Sequence, residues 1–140
     1  MGPFLVNLVP KVVSATTTRR VLIVDDEPNI VLSLEFLMKK AGYTVATAAD
    51  GEDALEQIRQ TAPDLVLLDI NIPKGNGYEV CQSIRDNPKW NDVRVVMLTA
   101  KGRDIEREKG LAVGADDYVT KPFSTQEVVG LVRRLLDPDV

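Results

Sequence analysis

The chain has 140 residues, of which 44% are hydrophobic and 27% charged, and its net charge is −4. That is one domain's worth of sequence with enough apolar material for a core, and the acidic balance disfavours a nucleic-acid surface. There is no histidine and only one cysteine, Cys81, which excludes Ser-His and Cys-His nucleophilic pairs, histidine-ligated metals and an intrachain disulfide. Any chemistry must run on carboxylates, hydroxyls and lysine.

Residues 1–18 are apolar but broken by Asn7 and Pro10, and they lack the basic start of a secretory signal. They read as an extension, or as an arm that pairs with a sheet edge or packs on a neighbouring protomer. No apolar run approaches the ~20 residues that span a bilayer, so a cytoplasmic location without membrane attachment is expected.

From Arg19 onward, strand-like and helix-like segments alternate five times. Val21–Val24 is a continuous apolar run that ends in Asp25-Asp26. Pro28 opens a helix where its missing N–H costs little, Ile30, Leu34, Leu37 and Ala41 give the apolar stripe, and Gly42 stops it. Tyr43–Ala48 is a weaker second strand, and Asp50 can cap a helix bearing Ala54, Leu55 and Ile58 that ends before Pro63. The run Asp64-Leu65-Val66-Leu67-Leu68-Asp69 reads as a buried strand, bounded by Pro63 and by Pro73 with Gly75. A helix with Val80, Cys81 and Ile84 comes next, and Trp90 in the connection after it is assigned a packing role. Val93–Leu98 is the fourth strand, ending in Thr99. Residues 102–113 form a weakly amphipathic helix with Ile105 as its apolar anchor. Tyr118-Val119 is a short fifth strand leading to Lys121-Pro122. Ser124 to Glu127 is a capping box for a last helix with the stripe Val128, Leu131, Val132 and Leu135.

This alternation predicts an α/β fold, a parallel sheet covered by helices on both faces. Right-handed crossovers place every strand's carboxyl end on one edge, where open sheets of this kind bind ligands. Asp25, Asp26, Asp69, Thr99 and Lys121 all stand at such ends, so they are expected to form one site. Three carboxylates there repel one another, and Lys121 supplies only one positive charge. An all-oxygen set of this kind suits Mg²⁺ better than zinc.

Four stretches then carry a resemblance: Val21-Leu22-Ile23-Val24-Asp25-Asp26-Glu27, Leu67-Leu68-Asp69-Ile70-Asn71-Ile72-Pro73, Val96-Met97-Leu98-Thr99-Ala100 and Asp117-Tyr118-Val119-Thr120-Lys121-Pro122-Phe123. From about Arg19 to Asp137 the chain resembles the receiver domain of bacterial two-component response regulators, similar to the stand-alone chemotaxis type. Residues 1–18 and the tail 138–140 lie outside it. The resemblance implies a flavodoxin-like, doubly wound sheet of order 2-1-3-4-5. It implies Asp69 as phosphoacceptor, loaded by a histidine kinase or phosphotransfer domain, with Mg²⁺ held by Asp26 directly, Asp25 through water, Asp69 and the Asn71 carbonyl. Thr99, Ala100 and Lys121 would contact the phosphoryl group, with Ala100 small enough to leave its approach open. Thr99 and Tyr118 would form the switch, and Lys121-Pro122 would be cis. Such a protein relays a signal to a downstream protein target and is no enzyme beyond assisting its own phosphoryl transfer. A dimer would use the face of the fourth helix, fifth strand and fifth helix, or the N-terminal arm. Without an output segment after the fifth helix, the chain reads as a stand-alone or an excised receiver. By the same resemblance, Asn71 and Lys101 would occupy the variable positions that in this family tune phosphoryl lifetime, which leaves the lifetime here open.

Three rivals fit less well, and one of them, a degenerate receiver working as a phosphorylation-independent adaptor, is opposed by the presence of all five site residues. A haloacid-dehalogenase-type hydrolase needs a general acid two residues after its nucleophile, and Asn71 cannot deliver that proton. A flavin module needs a Ser/Thr/Gly-rich phosphate cradle after the first strand, where this chain offers Asp-Asp-Glu-Pro.

Overall fold

The computed structural model describes residues 18–100 and 104–138. The expected arm over residues 1–17, Lys101 and the last two residues of the tail lie outside them. Five parallel strands, β1 (Arg20–Val24), β2 (Thr44–Ala48), β3 (Leu65–Asp69), β4 (Arg94–Ala100) and β5 (Asp117–Lys121), form one sheet in the order β2-β1-β3-β4-β5. The central strand β3 is buried at every position, as expected where helices cover both faces.

Successive side chains of a strand point to opposite faces, and the core divides accordingly. Val21, Ile23, Leu65, Leu67, Val96 and Leu98 meet α1 (Pro28–Lys40) and α5 (Thr125–Leu136) on one face. Leu22, Val24, Val66, Leu68, Val95 and Met97 meet α2 (Gly51–Thr61), α3 (Gly77–Asp86) and α4 (Asp104–Ala112) on the other. Asp50 caps α2 through the Asp53 amide, and Asn76 with Glu79 forms a reciprocal capping box on α3. Trp90 ends a short 3₁₀ turn and packs against the second core layer. Among the described residues no helix is long and apolar enough to cross a membrane.

Several expectations about single elements need correction. Ile105 does not anchor α4: it is 78% exposed. That helix approaches the sheet through Gly110 instead, where a Cβ would lie 3.0 Å from Met97 Cγ. A residue without a side chain permits this contact, so apolar periodicity could not reveal it. Along α1 the fully buried positions are Leu34 and Met38, with Ile30, Leu37 and Ala41 half-buried beside them. In α5 Val128 and Val132 lie deepest, Leu131 and Leu136 are buried beside them, and Leu135 is only half-buried. Ser124 caps the Glu127 amide of that helix, the one half of the expected capping box seen there. The fifth strand is longer than its apolar pair suggested, because backbone pairing with β4 runs from Asp117 to Lys121 although only Val119 is fully buried.

One polar strut supports β4 from below. Arg85 donates to the carbonyls of Gly114 and Val93 at 2.8 Å each and to Asp116 at 2.8 Å, while Asp116 also accepts the Val95 amide at 2.7 Å. Replacing Arg85 by Met removes three donors, from the carbonyl of buried Val93, the carbonyl of half-buried Gly114 and the carboxylate of the more exposed Asp116. We expect a loss of about 2–3 kcal/mol in urea unfolding with an unchanged m-value.

Candidate functional site

The carboxyl ends of β1 and β3 are neighbours in the sheet, since Val24 pairs with Leu68. The next residue of each strand is an aspartate, Asp25 and Asp69. Both are pulled below the surface, at 1% and 7% exposure, while Asp26 stays exposed. One carboxylate oxygen from each of Asp25, Asp26 and Asp69 lies within 4.8 Å of the others.

Local bonds aim these groups. Asp25 Oδ1 accepts the Glu27 amide at 2.9 Å at the entrance to α1. Asp69 Oδ1 accepts the Asn71 amide at 3.2 Å. Gly77 lets α3 start directly against this strand end: its N–H donates to the Ile70 carbonyl at 2.8 Å, and a Cβ there would lie 2.6 Å from the Asp69 carbonyl oxygen. No side chain fits in that gap.

Lys121, at the end of β5, reaches across to the acids. Its Nζ donates to Asp25 Oδ2 at 2.9 Å and stands 3.5 Å from Asp69 Oδ2. The peptide bond that links it to Pro122 is cis. Asp69, Asn71, Ala100, Lys121 and Pro122 line one open cleft of about 450 Å³ together with Glu27 and Ile30. Thr99 is buried beside it, and its hydroxyl has only 3.5 Å contacts with the Val119 carbonyl and the Thr120 hydroxyl. Those distances are too long to hold a hydroxyl firmly. Tyr118 stands apart from the acids, its hydroxyl accepting from Arg107 at 3.1 Å with the guanidinium 5.0 Å above its ring.

The electrostatics arise from this crowding. Desolvation, and then the charge of Asp25, push the Asp69 carboxyl above its usual range, and Lys121 only partly offsets them. For Lys121, burial works to lower its pKa, but the hydrogen bond to Asp25 and the charges of Asp69 and Asp25 outweigh it and leave it raised. Two carboxylates 4–5 Å apart repel by roughly 4 kcal/mol at an effective dielectric of about 20. Three acids against one ammonium leave negative charge in excess. An exposed carboxylate, two buried ones with an oxygen each within 4.8 Å of it, and an all-oxygen donor set fit a hard divalent cation such as Mg²⁺.

Two features of this neighbourhood escape sequence reasoning. Glu106, on α4, places its Oε1 3.3 Å from the Ala100 amide. Arg107, the next residue, holds Tyr118. Neither has a motif, because each acts through a contact that exists only once α4 lies over β4 and β5.

Comparison with known proteins agrees with this geometry. Residues 21–133 match the family described as "Response regulator receiver domain". A solved structure from Chloroflexus aurantiacus, described as a response regulator, is 38% identical over 86% of this chain and 98% of its own, with a TM-score of 0.83. The chemotaxis response regulator CheY4 of Vibrio cholerae is 31% identical over 85% of this chain and 99% of its own, with a TM-score of 0.80. The receiver domain of a sensor histidine kinase from Pseudomonas aeruginosa, solved with magnesium coordinated in its active-site cleft, is 29% identical over 86% of this chain and 98% of its own, with a TM-score of 0.78. The chain, with its five-stranded 2-1-3-4-5 sheet and its acidic cleft, belongs to the response regulator receiver domains of two-component signalling.

Proposed function

We propose that residues 19–137 form a phosphorylation-controlled switch in which Asp69 accepts a phosphoryl group from a histidine kinase or phosphotransfer partner. The observation that carries this reading is the placement of Lys121 between Asp25 and Asp69, with the Asp69 carboxylate at the floor of an open cleft. An Asp69 oxygen attacks phosphorus, the bond from phosphorus to the donor breaks, and the donor leaves with that electron pair. Charge grows on the equatorial oxygens during transfer. Lys121 meets one of them, and the Thr99 hydroxyl and the Ala100 amide meet the others.

Asp26 would hold Mg²⁺ directly, Asp25 through water, and Asp69 and the Asn71 carbonyl would complete the protein's share. An ion held by these residues would supply charge neutralisation at the transferring oxygens and at the acids themselves. Asp25 is suited to the indirect role, since both its oxygens already have protein donors. Its charge orients Lys121.

The product adds negative charge and acceptor oxygens where Thr99 has only long contacts. Thr99 turns toward them, and Tyr118 moves into the space released beneath β4. The face of α4, β5 and α5 changes shape and engages a downstream protein or a second copy of this chain. The chain catalyses nothing beyond its own modification.

The test is incubation with acetyl phosphate and Mg²⁺, then intact mass measurement. The wild-type chain gains one phosphoryl group, and Asp69→Ala gains none. Equal labelling of both would move the acceptor elsewhere.

A further inference from the structure

The Ala100 amide has a partner already. Its N–H, at the end of β4 in the cleft that Asp69 and Lys121 line, donates to the Glu106 carboxylate at 3.3 Å. This is an anionic oxygen on a donor that a phosphoryl oxygen would need, and one N–H cannot serve both at full strength. We propose that Glu106 is a built-in competitor of the phosphoryl group, holding the Ala100 amide and with it the start of α4 until phosphorylated Asp69 displaces it. The inference rests on Asp69 being the phosphoacceptor, and it adds the element that couples acceptor to helix.

The attachment of α4 makes this coupling effective. Ile105 and Leu111 are exposed, and Gly110 is the helix's one buried residue. With so little apolar burial, polar contacts position its first two turns: Glu106 Oε1 on the Ala100 amide, the Tyr78 hydroxyl donating to the Glu106 carbonyl at 3.3 Å, and Arg107 on the Tyr118 hydroxyl. Glu106 and Arg107 are adjacent. One grips the strand end that receives the phosphoryl oxygens, and the other grips the aromatic ring that must move. Displacing the first loosens the hold of the second, because both ride on the same helical turn.

The competition has a direct readout in the affinity for beryllofluoride, a phosphoryl mimic that needs no donor. Titrations with Mg²⁺ present compare the full-length wild type, Glu106→Ala and Asp104→Ala, the last removing an equal charge from the same helix. Glu106→Ala is expected to bind beryllofluoride about fivefold more tightly than wild type, the value of one long charge-assisted hydrogen bond no longer displaced. Asp104→Ala is expected to stay within about twofold of wild type, since at exposed sites a charge without a specific contact acts weakly. Affinity for Mg²⁺ alone stays the same in all three. Unchanged or weaker binding by Glu106→Ala overturns the proposal, and so does an equal gain in Asp104→Ala. A wild type that binds no beryllofluoride overturns the phosphoacceptor reading itself.

Discussion

Replacing Asp69 by asparagine is expected to stabilise the metal-free protein by about 1–2 kcal/mol at neutral pH, against the rule that most substitutions destabilise. Asp69 is nearly buried, and burial and Asp25 both push its carboxyl above the ordinary value. Asparagine keeps the shape and an oxygen to accept the Asn71 amide, and Lys121 keeps its shorter bond to Asp25. What disappears is a desolvated charge beside a like charge. The pH dependence has a definite sign. Where Asp69 is protonated in the folded state but ionised in the unfolded one, the folded state binds more protons, so its contribution to stability falls as pH rises. The gap between Asp69→Asn and wild type therefore widens from the usual aspartate range upward and levels off once Asp69 is ionised in both states. Urea unfolding in EDTA at a series of pH values measures it. Millimolar Mg²⁺ should narrow the gap, because the ion binds the folded wild type better than the variant.

The second large effect lies at Lys121. Changing it to methionine keeps most of the stem but removes the ammonium that binds Asp25, a carboxylate at 1% exposure. Breaking a buried pair by deleting one partner is costly because it strands the other charge. Lys121 is partly open to solvent, with 23% of its side chain exposed, so the expected loss is about 2–3 kcal/mol, toward the low end for such deletions. Mg²⁺ should restore part of it by neutralising the same acids. Double substitution with Asp69→Asn should cost less than Lys121→Met alone, and a cycle of the two variants in urea gives the coupling directly. Additive effects would mean that Lys121 and Asp69 do not interact across their 3.5 Å separation.

Much of this arrangement is legible in the sequence because parallel strands covered on both faces are continuous apolar runs, and the residues just past the end of each run must stand at one edge of the sheet. The apolar runs alone thus gather Asp25, Asp26, Asp69 and Lys121. The parts that stay hidden act by contact rather than by pattern. Arg85 and Asp116 lie far apart in sequence and meet only because α3 passes beneath the turn into β5. The hold of α4 on the sheet is misleading at Ile105, since a glycine is its true point of approach and polar groups do the rest. The length of β5 is underestimated from its apolar pair because an edge strand can be built by backbone pairing with few buried side chains. The pairing of Glu106 with the Ala100 amide carries no periodic or compositional signal at all.

Chemical trapping of the phosphorylated residue tests the central claim most directly. Borohydride reduces an aspartyl phosphate to homoserine, so the full-length chain treated with acetyl phosphate and Mg²⁺, reduced and digested should carry homoserine at position 69 and at no other aspartate, and EDTA should abolish it. Homoserine at Asp25 or Asp26, or undiminished conversion at Asp69 in EDTA, would contradict the account.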